Sequence, residues 1–148
     1  MKNNKKKELK MCIYEISEKK FKTSGKFYCI VANSMANYQY KSLYNDGKYQ
    51  IGEWYNARHT IVPIGNYDLS DEYESGFHLF LSKKDAMEYY RKGAFRGRKR
   101  KYFLATCSIE DIKIYGYQMY RLDNDTRKYL RVVVADRRKI DSVSILER

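Results

Sequence analysis

The chain carries short runs with the two-residue period of β-strands and one stretch with a helical repeat. Met11–Ile16 reads as a strand, and Lys26–Ala32 (Lys-Phe-Tyr-Cys-Ile-Val-Ala) is apolar on both faces, as a central strand is. Tyr38–Tyr44 and Lys48–Tyr55 flank Asn45-Asp46-Gly47, a tripeptide whose tolerance of positive φ predicts a hairpin. On its second arm Tyr49, Ile51 and Glu53 share one face and Trp54 takes the other. Residues 56–76 hold Pro63 and an acidic stretch from Asp68 to Glu74, and read as a long excursion. Phe77–Leu81 is a strand that runs into Ser82-Lys83-Lys84-Asp85, with Ser82 as N-cap and Asp85 favouring the helix N-terminus. Ala86, Tyr89 and Tyr90 follow at helical spacing and Gly93 supplies a stop, which predicts a helix over about 83–92. Tyr102–Ile109 alternates through Phe103, Ala105, Cys107 and Ile109, Glu110–Gln118 reads as irregular around Gly116, Leu130–Ala135 as a buried strand and Ser142–Leu146 as a last edge strand. The expected class is α+β: a single domain over 11–148, a mostly antiparallel twisted sheet with one main helix packed on it, and a flexible basic tail over 1–10.

Composition supports a folded chain. At 148 residues and 43% hydrophobic it is long enough to bury a core without disulfides or metals. Its sixteen tyrosines and single proline favour strands, where a ring is half buried and its hydroxyl stays wet.

Charge changes the picture more. The net +12 is concentrated in three segments: residues 1–10 carry +4, residues 91–101 carry +7 and residues 121–139 carry +4, so the remainder of the chain is −3. Arg91, Lys92, Arg96, Arg98, Lys99, Arg100 and Lys101 stand within eleven residues that hold no carboxylate. Such self-repulsion points to a polyanionic partner, the bland alternative being a solvated loop. In an extended loop Arg96, Arg98 and Arg100 share a side, Gly93 and Gly97 allow close backbone approach, and Phe95 is placed to stack on a base. Arg127, Lys128, Arg137 and Arg138, with Arg131 and Lys139, form a second basic set, which joins the first if its strand lies beside Tyr102–Ile109. No recognition helix, finger or RNP aromatic pair suggests base-specific readout.

Signals for catalysis are thin. No G-x-G-x-x-G, Walker loop or G-x-S-x-G elbow is present, and no cofactor is implied. Cys12, Cys29 and Cys107 are scattered in apolar runs and read as small buried thiols of a reducing compartment; His59 and His78 lack ligand spacing to any of them, so no metal site is expected. Asp68, Asp71, Glu72 and Glu74 lack the glycine and ligand rhythm of a calcium loop and read as a solvated loop or a contact for a basic surface. The apolar stretch after the basic N-terminus is too short for a signal peptide, and no run of ~18 apolar residues would span a membrane. A cytoplasmic protein is expected.

From about residue 27 to 140 the chain resembles a group of small uncharacterised proteins of phages and their bacterial hosts. The carrying residues are Tyr40-Lys41-Ser42-Leu43-Tyr44, Lys48-Tyr49-Gln50-Ile51-Gly52-Glu53-Trp54, Gly76-Phe77-His78-Leu79-Phe80 with Asp85-Ala86, and Val132-Val133-Val134-Ala135 with Lys139-Ile140. The resemblance implies a shared fold and residence in a bacterial host cell, and no particular activity. More distantly, the strand followed by Gly-Phe-x-x-x-x-Ser and Asp-Ala-x-x-Tyr is similar to the core of ADP-ribosyltransferases. That family holds the nicotinamide ribose with a Ser-Thr-Ser or His/Tyr set and a later Glu. Ser82 lacks the Thr-Ser neighbours and Val132–Asp136 holds no Glu, while His78 and Tyr89 imitate the His/Tyr pair. Fold-level analogy of this kind conveys little chemistry.

The leading expectation is a non-enzymatic phage or mobile-element protein that binds nucleic acid or a ribonucleoprotein through its basic loop. One concrete form is an inhibitor of a host defence complex, of the anti-CRISPR kind. The rivals are an ADP-ribosyltransferase-like enzyme acting on a host protein or RNA, and a virion or packaging protein.

Overall fold

The computed structural model describes residues 13–33, 40–42, 47–64, 72–92, 101–121 and 125–146. The expected basic tail over 1–10 and the segment 93–100 lie outside the described residues. The described part is a predominantly antiparallel sheet with one helix, an α+β fold.

Two strands form its spine. β9 (Tyr102–Arg121) and β10 (Arg127–Leu146) are each twenty residues long and pair along their whole length, from Arg127↔Arg121 to Leu146↔Tyr102. β2 (Phe27–Asn33) pairs with the first third of β9, and β8 (Phe77–Phe80) pairs with β10 through Val132–Ala135. β2 and β8 meet at Tyr28↔Phe80, so β9, β10, β8 and β2 close into a ring. β1 (Glu15–Ile16) lies on the far side of β9, and β5 (Trp54–Asn56) on β10. β3 (Tyr40–Ser42) and β4 (Lys48–Tyr49) extend the sheet from β2.

Closure requires the long strands to bend, since twenty residues drawn straight would run about 66 Å. Register shifts between Val134 and Ala135 and between Ile140 and Ser142 supply the bends, and Asp111 takes a left-handed φ of 58° beside the first. These irregularities correct two expectations. Glu110–Gln118 is β9 continuing, not an irregular segment, and Ser142–Leu146 belongs to the same strand as Leu130–Ala135. The bulges bring Ile109, Ile112 and Tyr115 to one cluster at a spacing of three, which hides the two-residue period. Gly116 is needed here for close approach. A Cβ would stand 2.6 Å from the Glu15 carbonyl oxygen, where β1 crosses.

Other boundaries moved too. Tyr40↔Tyr49 and Lys41↔Lys48 pair across the expected hairpin, but its second arm ends at Tyr49, turned by Gly52 at φ 87°. The excursion over 56–76 contains a separate two-stranded sheet, β6 (Ile61–Pro63) with β7 (Glu72–Glu74).

The ring has two apolar faces. One holds Ile30, Ala32, Phe80, Leu104, Leu130, Val132 and Val134 beneath α1 (Lys83–Lys92), with Ile13 and Tyr73 at its margin. The other holds Phe27, Cys29, Val31, Leu79, Ala105, Cys107, Val133 and Ile140, closed by Tyr49 and Phe77. Helix α1 starts as the sequence predicts: Ser82 Oγ accepts from the Asp85 N–H at 3.1 Å, and Ala86 and Tyr90 face the core. Replacing Ser82 with alanine is expected to cost about 1 kcal/mol, read as a lower denaturation midpoint at unchanged slope.

Candidate functional site

The cationic segment is rooted in two ordered elements. Arg91 is exposed on the last turn of α1, and Lys92 is its final residue. A cation suits a helix C-terminus, so Arg91 has a structural use as well. Phe95, Arg96, Arg98, Lys99 and Arg100 lie outside the described residues. Lys101 is exposed, and its backbone is fixed to the end of β2: its N–H donates to Asn33 Oδ1 at 3.3 Å and its carbonyl accepts from the Asn33 N–H at 3.1 Å. The rings of Tyr90 and Tyr102, 5.8 Å apart, bring both ends of the segment to one place. No carboxylate among the described residues pairs with Arg91 or Lys101.

The second basic set is dispersed rather than joined to the first. β10 does lie beside β9, but the antiparallel register puts Arg127 opposite Arg121, at the far end of the ladder from the Tyr102↔Leu146 pair. Arg127 is exposed and has no carboxylate partner among the described residues. Lys128 is bonded to Glu88 of α1, which holds the Glu88 carboxyl below its usual range and raises the lysine. Arg137 is paired with Glu110 and lies over the Trp54 ring at 5.0 Å, and Lys139 sits 5.3 Å from that ring and 3.7 Å from Asp141. Arg131 lies 5.8 Å from the centre of the Phe21 ring.

Arg138 corrects the surface expectation outright. Its side chain points inward, is 5% exposed, and lies between Tyr49 and Phe77. Parity explains it: Ala135 and Ile140 both belong to the buried face, so the alternation of β10 breaks between them, and Arg138 shares the face of Ile140, which is 1% exposed. Trp54, 37% exposed between two cations, has no signal in the chain, because only the pairing of Lys139 with Trp54 brings them together. Nor does any local pattern show that Cys29 and Cys107 meet, with sulfurs 3.8 Å apart.

The residues that imitate a transferase are committed to holding the fold. Ser82 caps α1. Both ring nitrogens of His78 are engaged: Nδ1–H donates to the Gly76 carbonyl at 3.1 Å, and Nε2 accepts from the Tyr73 hydroxyl at 2.7 Å. That hydroxyl in turn accepts from the Ile13 N–H at 3.0 Å. Burial pulls the His78 imidazole down to about 4, so it is neutral at pH 7. Tyr89 packs on Phe80 with ring centres 5.2 Å apart.

Glu72 and Glu74 flank the buried Tyr73 on β7, and Glu74 pairs with His59 at 3.0 Å; Asp68 and Asp71 lie outside the described residues. Among the described residues no group of three or more His, Cys, Asp or Glu is placed to hold a metal ion. No helix there is long and apolar enough to cross a membrane. No family model, curated protein or solved structure matches the chain.

Proposed function

We propose that this is a non-enzymatic phage or mobile-element protein that acts in the cytoplasm of a bacterial host. It docks on nucleic acid or a ribonucleoprotein through residues 91–101. The carrying observation is the density of charge on that segment, seven cations and no carboxylate, on a stretch whose ends are held together by Tyr90 and Tyr102. Seven cations within eleven residues of sequence suit a polyanion better than a dispersed set does. Within the second basic set Lys128, Arg137 and Lys139 each have a carboxylate, so they add little net field. Arg91, Lys92, Arg96, Arg98, Lys99, Arg100 and Lys101 are the phosphate contacts in this reading, with Phe95 as a stacking residue and Arg127 as an outlying cation. Inhibition of a host defence ribonucleoprotein is the most concrete form of the activity.

The test is a triple charge reversal, Arg96, Arg98 and Arg100 to Glu. With each charge-assisted hydrogen bond to phosphate worth ~1.5 kcal/mol, affinity for RNA or heparin is expected to fall about a thousandfold, with the melting transition unchanged. Wild-type affinity is expected to drop steeply with salt, by a slope of roughly 0.7 to 0.9 per phosphate neutralised. Unchanged retention of the variant at moderate salt would reduce the segment to a solvated loop.

A further inference from the structure

The interior face of the ring contains a charge without an evident counter-charge. Arg138 is 5% exposed, and its guanidinium carbon lies 4.3 Å from the centre of the Phe77 ring and 4.5 Å from that of Tyr49. Its Nη1 reaches Cys29 Sγ at 3.6 Å, while Nε and Nη2 are buried without a hydrogen-bond partner. None of the ion pairs among the described residues involves it. Two aromatic faces offset part of the cost of burying a cation, but a buried guanidinium without a counter-charge remains costly.

The groups facing it narrow the choice of counter-charge. Tyr49 on β4 is pushed up by burial, so its hydroxyl stays neutral. Tyr55 on β5 donates its hydroxyl to Glu53. Arg58 adds positive charge to the surroundings of Tyr49. Asp141 is near Cys107 but is engaged by Lys26, Lys139 and the Ser108 hydroxyl. The thiols remain: Cys29 against Arg138, and Cys107 with its sulfur 3.8 Å from that of Cys29.

We propose that Cys29 and Arg138 form a thiolate–guanidinium ion pair inside the ring of strands, and that Cys29 is this protein's site of modification by small hydroperoxides. The Cys107 S–H donates to the Cys29 sulfur, and the Arg138 charge and N–H add to it; together they outweigh burial and bring Cys29 down to about 7. The same contact pushes Cys107 well above the ordinary thiol range, so one proton of the pair leaves readily and the other is retained.

In the modification step the thiolate sulfur attacks one oxygen of the peroxide ROOH. An S–O bond forms as the O–O bond breaks, and the departing alkoxide takes a proton from water. Sulfur is oxidised by two electrons and the peroxide is reduced to ROH, leaving Cys29–SOH. Cys29 keeps 6% of its surface, so only the smallest peroxides can reach it. The product is expected to stop there. Cys29 pairs with Ala105 and Cys107 with Phe27, a diagonal relation that holds the two residues farther apart than directly opposite positions, which works against the close Cβ approach a disulfide needs.

Thiolate absorbance, titrated on folded protein, tests the ion pair without any reagent having to enter. Wild type should show an absorbance step near pH 7 that C29S lacks. In R138M the step should move up into the ordinary thiol range, about 8.5. If R138M does not fold, the comparison of wild type with C29S decides. A wild-type protein with no step below that range, or a step that survives in C29S, overturns the pair. Hydrogen peroxide followed by a sulfenic-acid trap and peptide mass analysis tests the modification: a trapped adduct on Cys29 supports it. Adducts confined to Cys12 or Cys107, or a Cys29–Cys107 disulfide, overturn it.

Discussion

Replacing Phe80 with alanine is expected to lower the unfolding free energy by about 4 kcal/mol, the largest loss among single substitutions considered for this protein. Phe80 is 1% exposed and lies beneath α1, against Tyr89 and the cluster that holds Ile30, Leu104 and Val132. It also occupies the seam where β8 meets β2, where Tyr28↔Phe80 is the single paired position. Truncation would remove a ring from a close-packed site and open a cavity at the point where the ring of strands closes. Against a typical total stability of roughly 5–15 kcal/mol, such a loss is a large fraction. Urea denaturation should show a much lower midpoint with unchanged slope. The loss also bears on binding, because α1 is one of the two roots of the cationic segment. An unfolding free energy within about 1 kcal/mol of wild type would mean that the seam is not where closure gains its stability.

Acidification is expected to remove roughly 3 kcal/mol of stability through His78 alone. The folded imidazole is held at about 4 by burial, whereas in the unfolded chain it titrates near 6.5. The unfolded state therefore takes up the proton first. His78's contribution is complete above about pH 6.5, declines as pH falls toward 4, and is flat below that. Protonation at Nε2 would set a second donor against the Tyr73 hydroxyl, whose own proton now goes to that nitrogen and whose oxygen already accepts from Ile13. Denaturation curves at pH 7 and pH 4.5 should differ strongly for wild type and little for His78→Gln, which retains an amide but does not titrate. Other shifted groups act in different windows. Cys29, lowered toward 7, contributes stability that is fully present only above the ordinary thiol range and is lost as pH falls to 7. Glu88, lowered by Lys128, responds only below the ordinary carboxylate range. A wild-type slope that persists in His78→Gln would place the acid sensitivity elsewhere.

Much of the fold was legible because local chemistry and final structure agree. Ser82 and Asp85 specify a helix start that no tertiary contact needed to alter, and α1 covers the residues its pattern predicts. Lys26–Ala32 and Phe77–Leu81 are apolar on both faces because both become inner strands of the ring. Two of the failures have a common cause in β-bulges. A bulge changes which face a side chain takes without changing its residue type, so Glu110–Gln118 lost its period and Arg138 looked like a surface cation. The excursion over 56–76 hid a hairpin because Tyr73 is buried by distant partners, Ile13 and His78.

The candidate site divides in the same way. Concentration of charge over residues 91–101 is a property of composition, and the chain alone fixes it. Which other cations stand free depended on long-range pairing: Glu88 takes Lys128, forty positions away, and Glu110 takes Arg137. The α1 cap, the inner strands and the positive sign of the protein's field were legible in the chain, because they follow from residue types and from neighbours within a few residues. Tertiary structure alone decided that the strands close, that Trp54 lies among cations, and that Arg138 is buried against Cys29. Each of those outcomes turns on register between segments far apart in the chain, and one shift of register exchanges inside for outside.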